Sequence, residues 1–97
     1  MEQRVICKFY GKDNNINDIY IFINKSLEEA NERHERDYHN KNLKILKKVY
    51  SFIRNNGGYK NWIIEVLENC NEQNKNERKK YWLNLLKPSL NTKLKSI

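Results

Sequence analysis

Apolar residues in this chain fall in short dense runs, and their spacing predicts six elements. Residues 5–10 read as an extended segment, and residues 11–15 (GKDNN) are a cluster whose side chains favour turns. Residues 19–23 (IYIFI) form an unbroken β-branched and aromatic run, short enough for a strand buried on both faces, which predicts the centre of a sheet. The two strands and the turn between them predict an antiparallel hairpin with a long loop. Asn24 or Ser26 is positioned to cap a helix near 27–39, with Glu28 and Glu29 in its first turn and Leu27, Ala30, His34 and Tyr38 on one face. Leu43, Leu46, Tyr50 and Ile53 write a second helix over 42–55, which stops at Gly57 and Gly58. Residues 61–68, with Trp62, Ile63, Ile64, Val66 and Leu67, predict a third strand. Polar residues then lead into a last helix near 75–86, carrying Tyr81, Trp82, Leu85 and Leu86 and ended by Pro88. The order is ββααβα, an α/β arrangement.

Ninety-seven residues suffice for one modest core, so residues 1–97 are expected to form a single domain. No stretch has the roughly 18 to 20 uncharged apolar residues of a membrane span, and the first residues lack the apolar core of a signal peptide. Two cysteines, Cys7 and Cys70, without a Cys-x-x-Cys or a His pair at zinc spacing, point to a reducing intracellular compartment and no structural metal. The net charge of +7 is unevenly spread. Residues 1–40 carry six Lys/Arg against eight Asp/Glu, whereas residues 41–97 carry thirteen against four. A one-sided cationic half is the usual footprint of a polyanionic partner. Asn, Lys and Ile, whose codons are AT-rich, make up 40 residues, so base composition accounts for part of the basicity.

Three strings go beyond pattern. They are Arg54-Asn55-Asn56-Gly57-Gly58-Tyr59-Lys60-Asn61-Trp62, then Tyr81-Trp82 followed by Leu85-Leu86-Lys87-Pro88-Ser89-Leu90-Asn91, and the loop Asp13-Asn14-Asn15-Ile16-Asn17-Asp18-Ile19-Tyr20. Together with the element order they resemble the GIY-YIG endonuclease domain, especially the branch carried by large DNA viruses. The likeness runs from about Arg4 to Asn91. It implies a three-stranded antiparallel sheet flanked by helices, and a cytoplasmic, nuclear, viral-factory or virion setting.

The resemblance also implies where catalytic groups should stand, and several are missing. The tyrosine of the first half-motif falls on Cys7; that of the second is present as Tyr20, but its glycine is Phe22. The helix arginine is replaced by Ala30, the histidine one turn on is kept as His34, the metal-binding glutamate is Lys79, and the late asparagine is Asn91. Such a nuclease needs a tyrosine to help activate water, an arginine to stabilise phosphate charge and a carboxylate to hold Mg²⁺. Mg²⁺ keeps several waters and few protein ligands, so losing one carboxylate leaves little site. Phe22 lies on the same side of its strand as Tyr20 and is expected to plug the cleft in part. A shift of register would offer Arg33, three residues from Ala30, as the arginine.

Cys7 lies among Val5, Ile6 and Phe9, a poor setting for a nucleophile, and His34 is read as a packed histidine more readily than as a residual active-site group. Trp62, Tyr81 and Trp82 are expected in the core rather than stacked on bases. Lys44, Lys47, Lys48 and Arg54 on the second helix, with Lys75, Arg78, Lys79 and Lys80 on the last, are the candidate phosphate-contacting surface. Three functions remain open. One is a non-catalytic domain that binds nucleic acid, without sequence preference, or a protein partner through its basic half, as part of a viral complex. The second is a Mg²⁺-dependent DNA endonuclease. The third is a structural or interaction protein docking through the acidic first helix or an edge strand. No cofactor is expected for the first or third, and no membrane partner for any.

Overall fold

The computed structural model describes residues 2–40 and 46–92. Its sheet has three antiparallel strands, β1 (Gln3–Gly11), β2 (Ile19–Asn24) and β3 (Trp62–Asn71), in the order β2-β1-β3. Helices α1 (Leu27–His39) and α2 (Lys47–Asn55) follow β2, a 3-10 turn (Tyr59–Asn61) leads into β3, and α3 (Lys75–Leu86) and a short α4 (Ser89–Thr92) close the chain. The fold class and element order agree with the sequence pattern. Residues 42–45 of the expected second helix lie outside the described residues, and its start is corrected: α2 begins at Lys47, because Leu46 holds a left-handed backbone (φ +57°) that does not continue a helix.

Strand alternation sorts the side chains into two layers. On one face Val5, Cys7, Phe9, Tyr20, Phe22, Trp62 and Ile64 pack with Ala30 of α1, Val49, Tyr50 and Ile53 of α2, and Leu90. On the other, Ile6, Ile21 and Cys70 pack with Trp82 and Leu83 of α3. A bulge in β3 refines this division. Ile6 pairs with Glu68 but Cys7 pairs with Val66, so Leu67 is the extra residue and Glu68 falls opposite Ile6, on the α3 side. There Arg78 donates twice to Glu68, at 2.8 and 3.0 Å, and Trp82 Nε1 donates to it at 2.9 Å. These bonds hold the carboxyl of Glu68 below the usual carboxylate range, with Arg78 the larger influence.

The expectation that residues 19–23 form the central strand is corrected: β1 is central and β2 is an edge. Ile21 is fully buried nonetheless. Its free backbone edge is closed by Asn91, whose Oδ1 accepts from Ile21 N at 2.7 Å and whose Nδ2 donates to Ile21 O at 2.8 Å. One side-chain amide thus reproduces the donor and acceptor of a neighbouring strand. Strand β3 runs to Asn71, beyond the expected end at 68, because the ladder with β1 continues through Gln3↔Asn71. Ser26 is the α1 cap, accepting from Glu29 N at 3.1 Å. Gly57 (φ +105°) and Gly58 (φ +80°) end the second helix as expected, and Gly58 N donates to Ile53 O at 2.9 Å. Tyr81 is not a core residue: it is 47% exposed, because the bond from Trp82 to Glu68 sets the rotation of α3 and turns Tyr81 and Leu85 outward.

Candidate functional site

Five of the seven positions singled out for chemistry gather on the α1 side of the sheet. Cys7 pairs across strands with Phe22, and both belong to the core cluster with Tyr20 and Ala30. Phe22 stacks on Tyr20 with centroids 5.9 Å apart and meets the His34 ring edge-on at 4.4 Å. Phe9 approaches the same imidazole at 5.4 Å. His34 is 5% exposed, and its Nδ1 lies 2.9 Å from the hydroxyl of Tyr50. Burial drives the His34 pKa down to about 4, against the opposing pull of Asp37. The imidazole is therefore neutral at pH 7. Burial likewise pushes the Cys7 thiol up to about 11 and raises the Tyr20 and Tyr50 phenols, so none of these is activated as a nucleophile or as a base in the anionic form.

Between this cluster and α1 lies a cavity of about 220 Å³, into which Tyr20, Phe22, Asn24, Arg33, His34 and Asp37 face. Arg33 thus reaches the same wall as Tyr20 and His34, where Ala30 offers only a methyl group in the core. Asp37 pairs with Arg36 at 3.7 Å and Arg33 at 4.0 Å. Mg²⁺, which the family resemblance implies, asks for hard oxygen ligands. Among the residues lining the cavity the one carboxylate is Asp37, already held between two guanidiniums, and the Asn24 side-chain oxygen accepts from Lys25 N at 2.8 Å. This donor set does not fit the ion. Lys79 is half-buried on α3, the helix that packs on the opposite face, and Asn91 serves the β2 edge. Sequence reasoning missed Tyr50 as the partner of His34, and Asp37 in the cavity wall; their separation along the chain leaves no local signal.

The candidate phosphate surface is divided. Lys44 lies outside the described residues, Lys47 begins α2, and Lys48 is exposed. Arg54 lies 4.8 Å over the Tyr38 ring and donates to the Tyr38 carbonyl. On α3, Arg78 is engaged by Glu68 and Lys75 by Glu72 at 3.0 Å, while Lys80 is exposed. Among the described residues no helix is long and apolar enough to cross a membrane. Searches with this chain against protein-family models, curated proteins and solved structures find no match.

Proposed function

We propose that this chain is a non-cleaving domain that binds nucleic acid, a catalytically degenerate relative of the GIY-YIG nucleases. The observation that carries the non-cleaving half is what surrounds His34: Phe22 packs 4.4 Å from its ring, Tyr50 binds it, and the one carboxylate among the described residues lining the adjoining cavity, Asp37, is held by Arg33 and Arg36. The binding half rests on the excess of cations after residue 40, with Lys48, Arg54, Lys60 and Lys80 on the surface. Contacts of this kind go to phosphates and carry no sequence information.

Salt dependence tests the reading. Affinity for a labelled duplex should fall steeply between 50 and 200 mM salt, and reversing Lys44, Lys47 and Lys48 to Glu should flatten the log–log slope by about 0.9 for each phosphate no longer neutralised. Binding that ignores both salt and these reversals overturns it. Two observations support other readings. Arg33 beside Tyr20 and His34 favours residual nuclease chemistry. Tyr81 and Leu85, 47% and 57% exposed on α3, favour a protein partner.

A further inference from the structure

The last turn of α1 ends in Tyr38 and His39, and the loop that follows α2 turns back over it. Gly57 and Gly58 make this turn possible, since both hold positive φ values that side chains disfavour. Beyond them, Tyr59 comes to lie 5.2 Å from Tyr38 and 6.4 Å from His39, centroid to centroid. Tyr59 is fixed from below by the edge of the buried Phe9 ring, at 5.9 Å. Between the helix end and the loop opens a pocket of about 340 Å³, lined by these rings, by the two glycines and by Lys60 and Glu35.

Its chemistry selects among ligands. The walls are aromatic and the glycine backbone carries no side chain to obstruct a flat group. A pocket this size is at the small end of the range for ligands, about 300 to 1,000 Å³, and suits one ring system. Among the described residues the rim carries one cation, the exposed Lys60. That cation disfavours an organic ammonium, although aromatic walls can hold one. Glu35 is the acid at the rim, an acceptor suited to an exocyclic amine.

Resting on the nucleic-acid reading above, we propose that this pocket takes one unpaired base of a single strand. The base stacks on Tyr59 and His39, and Lys60 holds an adjoining phosphate. Aromatic side chains beside a basic track are the means by which single strands are bound without sequence readout. A paired base keeps its faces stacked inside the duplex and cannot enter. The basic surface therefore tracks the strand, and this pocket distinguishes single strands from duplex.

The test uses the full chain and a short oligonucleotide with one 2-aminopurine, as a single strand and as its duplex. The single strand should bind more tightly, and 2-aminopurine fluorescence should change on binding. Stacking of one base is worth about a fivefold to hundredfold factor in affinity. Tyr59→Leu, which keeps apolar volume, should cost the single strand about that factor and leave the duplex within about twofold, whereas Tyr59→Phe should bind as the parent. His39→Ala, at an exposed position, reads the same stacking without burdening the fold, and Lys60→Glu should weaken the single strand further. If both strands bind with the expected salt dependence, but His39→Ala and Lys60→Glu leave the single-strand preference unchanged, the pocket proposal is overturned and the broader reading stands. If neither form binds at low salt, both are overturned.

Discussion

The neutral, buried His34 makes a quantitative demand on how this domain responds to acid. In the unfolded chain its pKa should return to about 6.5, whereas in the fold burial holds it at about 4. Below the higher value the unfolded chain takes up a proton that the folded chain refuses. The stability contributed by neutral His34 is thus complete above about pH 6.5, is lost as pH falls, and ceases to change below about pH 4, where the folded imidazole also protonates. A difference of this size corresponds to about 3 kcal/mol across the window. Urea unfolding followed by Trp62, 5% exposed in the core, should show the midpoint falling between pH 7 and pH 4. His34→Leu should flatten that slope while leaving the separate loss at lower pH, where the unfolded chain protonates Glu68 and Arg78 still holds it ionised in the fold. Tyr50→Phe should reduce stability at pH 7 by about 1 to 2 kcal/mol by removing the hydroxyl that lies against the imidazole. An NMR titration that finds His34 protonating at or above pH 6.5 would refute the reasoning, because the imidazole would then be solvated.

Asn91→Ala should destabilise the fold by about 2 to 4 kcal/mol, since it leaves the N–H and C=O of buried Ile21 without partners; a change in urea midpoint equivalent to less than about 0.5 kcal/mol would mean that the edge is solvated instead. Glu68→Ala should cost about 1 to 2 kcal/mol by stranding Arg78 and Trp82. Glu68→Gln should cost less, because it keeps an acceptor for Trp82, and equal losses for the two variants would assign the whole effect to charge.

The parts of the fold that local pattern specifies were legible: the helix over Lys75–Leu86, the Ser26 cap and the glycine stop after α2 each follow from neighbouring residues. Strand β2 was legible as a strand but not as an edge. Its residues are buried on both faces because core packing on one side and α3 on the other cover it, and its open hydrogen bonds are met by Asn91, seventy positions away. An apolar run records burial and cannot record whether a strand or a side chain provides it. The end of β3 was missed for a related reason: Asn69 and Asn71 look like loop residues until the ladder from Gln3 and Val5 reaches them. In α3 the apolar stripe is too broad to fix its rotation, which depends on the hydrogen bond between Trp82 and Glu68. The site divided the same way. Alternation along β2 places Tyr20 and Phe22 together, but the pairing of His34 with Tyr50 and of Tyr38 with Tyr59 comes from tertiary packing alone.

A single incubation tests whether this fold holds nucleic acid without cutting it. Labelled supercoiled plasmid and a labelled oligonucleotide are mixed with the protein and Mg²⁺ or Mn²⁺, and each sample is run on a native gel for binding and a denaturing gel for strand integrity. The account predicts a salt-sensitive shift with every strand intact. It predicts the same for Ala30→Arg and Lys79→Glu taken singly, because groups that act as one catalytic unit are strongly non-additive and Phe22 still packs on His34. Of the restorations, only Cys7→Tyr, Phe22→Gly, Ala30→Arg and Lys79→Glu together are expected to yield cleavage. Metal-dependent nicking by the unmodified chain, abolished by Tyr20→Phe or Arg33→Ala, would contradict the account and identify the cavity beside α1 as a working active site.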